Sequence, residues 1–309
     1  TMSVIVANDL AKIYQGRSRN VVALDGLSFS LGPGEAAAIL GPIGSGKSTL
    51  FRMLAGLVEP TTGNLTLNDR PASDPRSRIG VGLLPEHPRF PGHFTAFGVL
   101  VFAGRLDGVP VEELEGRIQL QLERMDLAKW ADTPISKFSR DMARRLALAS
   151  ALLIEPSLLI IDEPPEKSDH VTKDLIVRAL RRVRDTGGAL LHLAHSLHLV
   201  DHTVDRVSVL ERGRIVRELP LSELVRERLQ IEIEAEIGER LIELPSELGR
   251  MVSISRKRLI IEIDSEEAIN GIIDFLRLNR IVIHSVQRRR TSQDSTWMGN
   301  RKTMEGALA

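Results

Sequence analysis

The sequence predicts an α/β fold built on a mostly parallel sheet, followed by a smaller α+β unit. Three observations predict it. A fully apolar run, EAAAIL, breaks at Gly41 into a glycine-rich turn and a helix expected from about Lys47 to Leu57. Strand-like apolar runs then alternate with segments of helical period up to the stretch RVSVLERG. After Leu219-Pro220 the order becomes β-α-β-β-α-β, the ferredoxin-like split βαβ arrangement, within about 60 residues.

Taken in order, VIVAND and VVALDGLSFSL read as short alternating strands ahead of the glycine turn. Helical periodicity covers about Thr95 to Leu127, with amphipathic spacing in VEELEGRIQLQLERMDL, and again Ser139 to Ile154. Then come strand SLLIID, a helix from about Val171 to Arg184, strand GALLHLA, helix SLHLVDHTV and strand RVSVLERG, which imply βα units. The second unit reads as strand QIEIEAEI, helix GERLIELPSEL, the pair MVSISR and RLIIEID, helix EEAINGIIDFLRLN and strand RIVIHSVQ. The expected organisation is residues 1–220 with a helical subdomain over about 87–155, an accessory domain over 221–290, and a polar tail over 291–309. In the tail, Trp297 either docks on a surface or packs locally.

With 309 residues, 42% hydrophobic content and 27% charged, the chain has ample material for a core. Its 41 basic and 41 acidic residues cancel, which argues against bulk attraction to nucleic acid or anionic lipid while leaving a local basic patch open. With no cysteine, disulfide and thiolate chemistry are excluded and a reducing compartment is expected. The longest apolar segment, LALASALLIEPSLLII, is cut by Glu155-Pro156, short of the ~20 apolar residues a spanning helix needs. The N-terminal stretch has no basic region ahead of an apolar core, so no secretory signal is expected.

Gly41-Pro42-Ile43-Gly44-Ser45-Gly46-Lys47-Ser48-Thr49 matches G-x-x-x-x-G-K-[ST] in full, between a strand and a helix as that motif requires. Glycines there let backbone N–H groups converge on a phosphate, and the helix N-terminus adds partial positive charge. Lys47 is expected to bridge β- and γ-phosphates and the Ser48 hydroxyl to ligate Mg²⁺. A magnesium site also wants a carboxylate at the end of a buried strand, which Asp162 supplies after four apolar residues. Glu163 follows, where a general base would polarise the attacking water. The expected ligand is ATP with Mg²⁺.

These residues together resemble the nucleotide-binding domain of ATP-binding cassette (ABC) transporters over about residues 3–218, so the α/β fold is expected to be a P-loop NTPase of that class. The resemblance implies that Tyr14 stacks on adenine and that His195 is the switch histidine touching the γ-phosphate. It implies that Glu86, in GLLPEHP, takes the place of the family's glutamine beside magnesium and the transmembrane subunit, and that Ser139 opens the signature loop. That loop reads Phe138-Ser139-Arg140-Asp141-Met142, where the family has Leu-Ser-Gly-Gly-Gln and uses it to cap the nucleotide of the opposite protomer. The expectation from sequence is that Asp141 brings a carboxylate toward that phosphate and repels it. The loop after Glu163 reads PPEKSD where the family tends to read PTSGLD, with Asp169 retained.

The resemblance therefore implies an ATPase subunit of a bacterial ABC transporter, an exporter by its ferredoxin-like extension. It would work as a cassette dimer, homomeric or heteromeric, with an integral-membrane permease at the cytoplasmic face of the inner membrane. A chain that keeps its own nucleotide-side groups and alters those offered to its partner is expected to be one half of an asymmetric pair, with slow turnover if it pairs with itself. Two alternatives stay open: a nucleotide-gated scaffold with little turnover, and a soluble non-transport cassette protein. The accessory domain is either a dimerisation or regulatory module or a passive addition. His192, His195, His198 and His202 raise a zinc site, but His195 is already accounted for by phosphate. No residue reports the cargo.

Overall fold

The computed structural model describes residues 3–16, 19–162, 168–195, 203–221, 229–237, 244–245, 248–263 and 268–289. It divides into two compact units whose boundary falls between Leu221 and Ser222.

The first unit contains, in chain order, β1 (Ile5–Tyr14), β2 (Val21–Leu31), β3 (Ala36–Leu40), α1 (Lys47–Leu54), β4 (Thr62–Leu67), β5 (Arg70–Pro71), β6 (Val81–Leu84), α2 (Ala96–Leu106), α3 (Val111–Arg124), α4 (Arg140–Leu152), β7 (Leu158–Asp162), α5 (His170–Asp185), β8 (Ala189–Ala194), β9 (Arg206–Glu211) and β10 (Arg214–Pro220). An antiparallel sheet has the order β2-β1-β4-β5, and a six-stranded sheet the order β10-β9-β3-β8-β7-β6. In the larger sheet β6, β7, β8, β3 and β9 run parallel and only β10 is antiparallel. Strands β3, β7 and β8 are buried at every position, which is why they read as unbroken apolar runs without alternation. Leu50, Met53 and Leu54 of α1 join Ile39, Ile160 and Leu191 in one core with the inner residues of β1 and β2.

Glycine stops set two helix ends that periodicity alone does not show. The stretch of helical periodicity from Thr95 to Leu127 holds two helices, because Gly108 (φ 74°) closes α2 and Pro110 precedes α3. The amides of Gly108 and Val109 donate back to Arg105 and Gly104, a Schellman stop. Gly56 closes α1 at Leu54 in the same way, with Gly56 N bonded to Met53 O and Leu57 N to Arg52 O. Strands β4 to β6 went unanticipated, since GNLTLNDRP carries turn residues and β6 is only four residues long. The helix expected over SLHLVDHTV lies outside the described residues, apart from its last two.

The second unit contains β11 (Leu229–Ala235), β12 (Arg250–Ser255), β13 (Arg258–Ile263), α6 (Ala268–Leu278) and β14 (Ile283–Arg289). Its sheet order is β12-β13-β11-β14 with every neighbouring pair antiparallel, the order of a split βαβ fold. Ile231, Ile233, Leu259 and Ile261 pack with Ile272 and Leu276 of α6. The expected first crossover, GERLIELPSEL, lies largely outside the described residues, as do the tail and Trp297.

Candidate functional site

Parallel strands bring their C-terminal ends to one edge, and register fixes what stands there. Leu40 of β3 pairs with Ala194 of β8, Leu193 of β8 with Asp162 of β7, and Ile161 of β7 with Leu84 of β6. The next residues of β3 and β8 are Gly41 and His195, and Glu86 follows two positions after β6. The edge therefore presents Gly41, His195, Asp162 and Glu86 in that spatial order. Adjacent strands lie about 4.8 Å apart, so the glycine loop and Asp162 flank β8 at roughly 10 Å.

The loop itself is a cradle of donors. The Gly41 amide donates to Ala194 O at 3.1 Å and the Ser45 amide to Pro42 O at 3.1 Å, which curls the chain back before α1. Gly46 caps α1 with φ 113°, where a Cβ would stand 2.4 Å from the Ala23 carbonyl oxygen, so only glycine fits. No side chain caps α1 and no acidic residue occupies its first turn, leaving the helix N-terminus to an external anion. Ser45 is 2% exposed with its Oγ lacking a hydrogen-bond partner among the described residues. Lys47 is 5% exposed, and its Nζ donates to Gly41 O (2.7 Å) and Pro42 O (3.2 Å), so its ammonium is folded over the loop. Ser48 is exposed in the first turn of α1 while Thr49 is buried. An orphan hydroxyl, an uncapped helix start and an ammonium held by carbonyls fit a polyphosphate.

Asp162 is 6% exposed, a carboxylate delivered by a fully buried strand. His195 is exposed at the end of β8. The Glu86 side chain is 45% exposed, with its Oε1 3.4 Å from His87 Nε2. Glu163 lies outside the described residues. Tyr14 ends β1 opposite Val21 of β2, two residues from Ala23, which abuts Gly46. The tyrosine thus stands about 7 Å of strand from the loop wall. Its ring is half-buried, with Lys12 Nζ 5.3 Å from the centroid.

In the signature-like loop the side chains of Ser139 and Asp141 are engaged within the chain. Ser139 caps α4, its Oγ accepting from Met142 N at 3.1 Å, and it keeps its own hydroxyl proton to donate. Asp141 does not face outward: its Oδ1 accepts from Ser168 Oγ at 2.5 Å and its Oδ2 from Asp169 N at 3.2 Å. A carboxylate in the first turn of one helix is drawn to the capped N-terminus of another, because both helix starts are positive. Ser139 and Arg140 are the residues left exposed.

Asp169 caps α5 through Thr172 N at 2.7 Å. The backbone bond from Thr172 is the largest of the influences that hold its carboxyl below the ordinary aspartate value. His192 is fully buried in β8, and burial lowers its pKa to about 4. His198 and His202 lie outside the described residues, so the histidine cluster reduces here to one sealed ring and one exposed ring.

Sequence reasoning missed the wall behind the loop. Gly213, in the turn between β9 and β10, donates its amide to Ser45 O at 2.9 Å and accepts from Asp25 N at 3.0 Å. An E-R-G-R hairpin turn was legible there, but its partner across 168 residues of sequence was not.

The edge and its cradle define a nucleotide-binding α/β cassette, and comparisons give the family. Residues 24–166 match the family model described as ABC transporter. The Nod factor export ATP-binding protein I of Rhizobium meliloti is 35% identical over 254 residues, 80% of this chain and 73% of that one. Its counterpart from Bradyrhizobium diazoefficiens is 33% identical, covering 82% and 84%. A solved ATP binding subunit of an ABC transporter matches with TM-score 0.66 at 26% identity, over 72% of this chain and 92% of that chain. A dimeric bacterial ABC transporter cassette matches with TM-score 0.65 at 23% identity, a likeness of fold, over 70% and 98%. The chain belongs to the ABC transporter family and is an ATP-binding subunit of the ATPase class.

Proposed function

We propose that this chain hydrolyses ATP to drive a separate integral-membrane permease in the export direction, by ATP-dependent pairing of two cassettes. The observation that carries the reading is the single sheet edge shared by the Gly41–Thr49 loop, His195, Asp162 and Glu86. The loop amides and Lys47 bind and orient the phosphates, with Ser45 sealing the cradle. Ser48, Asp162 and Glu86 would hold Mg²⁺, which when bound supplies charge neutralisation to the γ-phosphoryl group. Glu163 takes a proton from the attacking water, and His195 donates to the γ-phosphate. Tyr14 stacks on the base.

Among the described residues no helix is long and apolar enough to cross a membrane, consistent with peripheral attachment through a partner. The export direction is supported by the Rhizobium and Bradyrhizobium relatives, which are Nod factor export ATP-binding proteins. The nucleotide-side groups are all present while Arg140 stands where the family's loop wants close backbone approach, so a pair of like chains turns over slowly and an asymmetric pair is favoured. Mass measured by light scattering on the Glu163→Gln chain tests the pairing. MgATP should double it, and a mass unchanged at millimolar MgATP with nucleotide bound rules pairing of like chains out.

A further inference from the structure

We infer that Lys12 is a positioning residue for the nucleobase, its ammonium holding the Tyr14 ring from one side while adenine stacks on the other. The inference rests on the stacking role given to Tyr14 above and adds the group that orients that ring. Lys12 and Tyr14 stand two residues apart on β1, with Lys12 Nζ over the ring at 5.3 Å from its centroid. The Tyr14 hydroxyl is buried and lacks a hydrogen-bond partner among the described residues, so no hydroxyl bond there fixes the ring. The cation on its face is the polar contact that does.

The ammonium has an anchor of its own. Lys12 Nζ donates to Glu59 O at 2.8 Å, and the backbone beside it is stitched to the same segment. There Ile13 N donates to Thr61 Oγ1 at 3.0 Å and Thr61 N to Ala11 O at 2.8 Å. Glu59 and Thr61 follow α1, so the end of β1 that carries the ring is tied to the chain leaving the phosphate-loop helix. With one face of Tyr14 taken, a base has the opposite face to stack on. An ammonium attracts the π density of the face it covers, which eases repulsion between the ring and a purine on the other side.

The test uses the full chain and compares Lys12→Met and Lys12→Arg with the parent. Each is titrated calorimetrically with MgADP and with magnesium pyrophosphate, which lacks the base. Met keeps the apolar stem and loses the charge, whereas Arg keeps a cation that stacks on aromatic faces. Lys12→Met should weaken MgADP binding about fivefold and Lys12→Arg less than about twofold, with pyrophosphate affinity within about twofold in both. Equal loss for the two ligands overturns the inference, because it makes the ammonium a plain charge that attracts phosphate. Unchanged MgADP affinity in Lys12→Met overturns it too. The underlying stacking role has a separate readout, since Tyr14 is the only tyrosine in the chain. With that ring carbon-13 labelled, its NMR signals should move on adding MgADP and stay in place on adding pyrophosphate. Signals that stay in place at saturating MgADP overturn the stacking role and the inference with it. Signals that move, beside an unchanged Lys12→Met affinity, overturn the inference alone.

Discussion

The amide of Gly213 donates to the carbonyl of Ser45 at 2.9 Å, so the phosphate loop is braced from behind by the turn that joins β9 to β10. Gly213 sits at φ 82°, where a Cβ would meet Leu24 Cα at 2.8 Å and Ala23 O at 2.9 Å. Gly213→Ala should therefore push β2 against the loop, raising the nucleotide Kd about tenfold and lowering stability by roughly 1–3 kcal/mol. Calorimetric titration with ATP, alongside a melting curve, checks both effects. An unchanged Kd would mean that the loop holds its shape without the turn.

Lys47→Ala should separate binding from folding. The side chain donates to two loop carbonyls that lie toward the nucleotide, Gly41 O and Pro42 O. Turnover should fall by about 10²–10³, the size seen when one pre-set charge donor is removed, with the melting temperature within a few degrees of the parent. A collapse in melting temperature would assign Lys47 a structural role instead.

His192 makes stability pH-dependent. Its folded pKa is about 4 against an ordinary 6.5, so below pH 6.5 the unfolded chain binds the extra proton first. Stability should fall as pH drops from 6.5 to 4, by up to roughly 3 kcal/mol, and this contribution should be flat above 6.5. His192→Leu, of similar size among leucines, should flatten the curve over that window in urea denaturation.

Arg206 is a clamp on the first unit's flank. Its Nε bonds Glu35 Oε1 at 2.5 Å, its Nη1 bonds Glu218 Oε1 at 2.6 Å, and its guanidinium lies 4.8 Å from the Phe29 ring centroid. Burial works to raise the Glu35 pKa, but hydrogen bonds from Arg206 and the Gly32 amide outweigh it, and the carboxyl titrates below its ordinary 4.5. The stability tied to this group is present above pH 4.5 and lost as pH falls through the depressed value. Arg206→Ala should cost about 2 kcal/mol at pH 7 and less at pH 3, measured by denaturant titration.

Much of the nucleotide edge was legible because its signals are local. A glycine loop between an apolar strand and a helix, and a carboxylate ending another apolar strand, each follow from the backbone chemistry of a few adjacent residues. The order of the second unit's described strands was legible for the same reason, since QIEIEAEI alternates and RLIIEID is largely apolar. The contacts of Asp141 were not legible, because its neighbours in sequence say only that it starts a helix. Its direction is set by Ser168 and Asp169, 27 and 28 residues away. Gly213 was missed for a similar reason, and α1 was overrun because helical periodicity continues past the glycine that stops it.

The central proposal is that the groups on this sheet edge hydrolyse ATP for a membrane partner. The most direct measurement is ATP turnover by the chain alone and co-purified with its permease, each with Glu163→Gln beside it. Turnover that is strong only in the complex and abolished by Glu163→Gln is the predicted result. Turnover in the complex that survives Glu163→Gln, or none in either preparation despite bound MgATP, would contradict it.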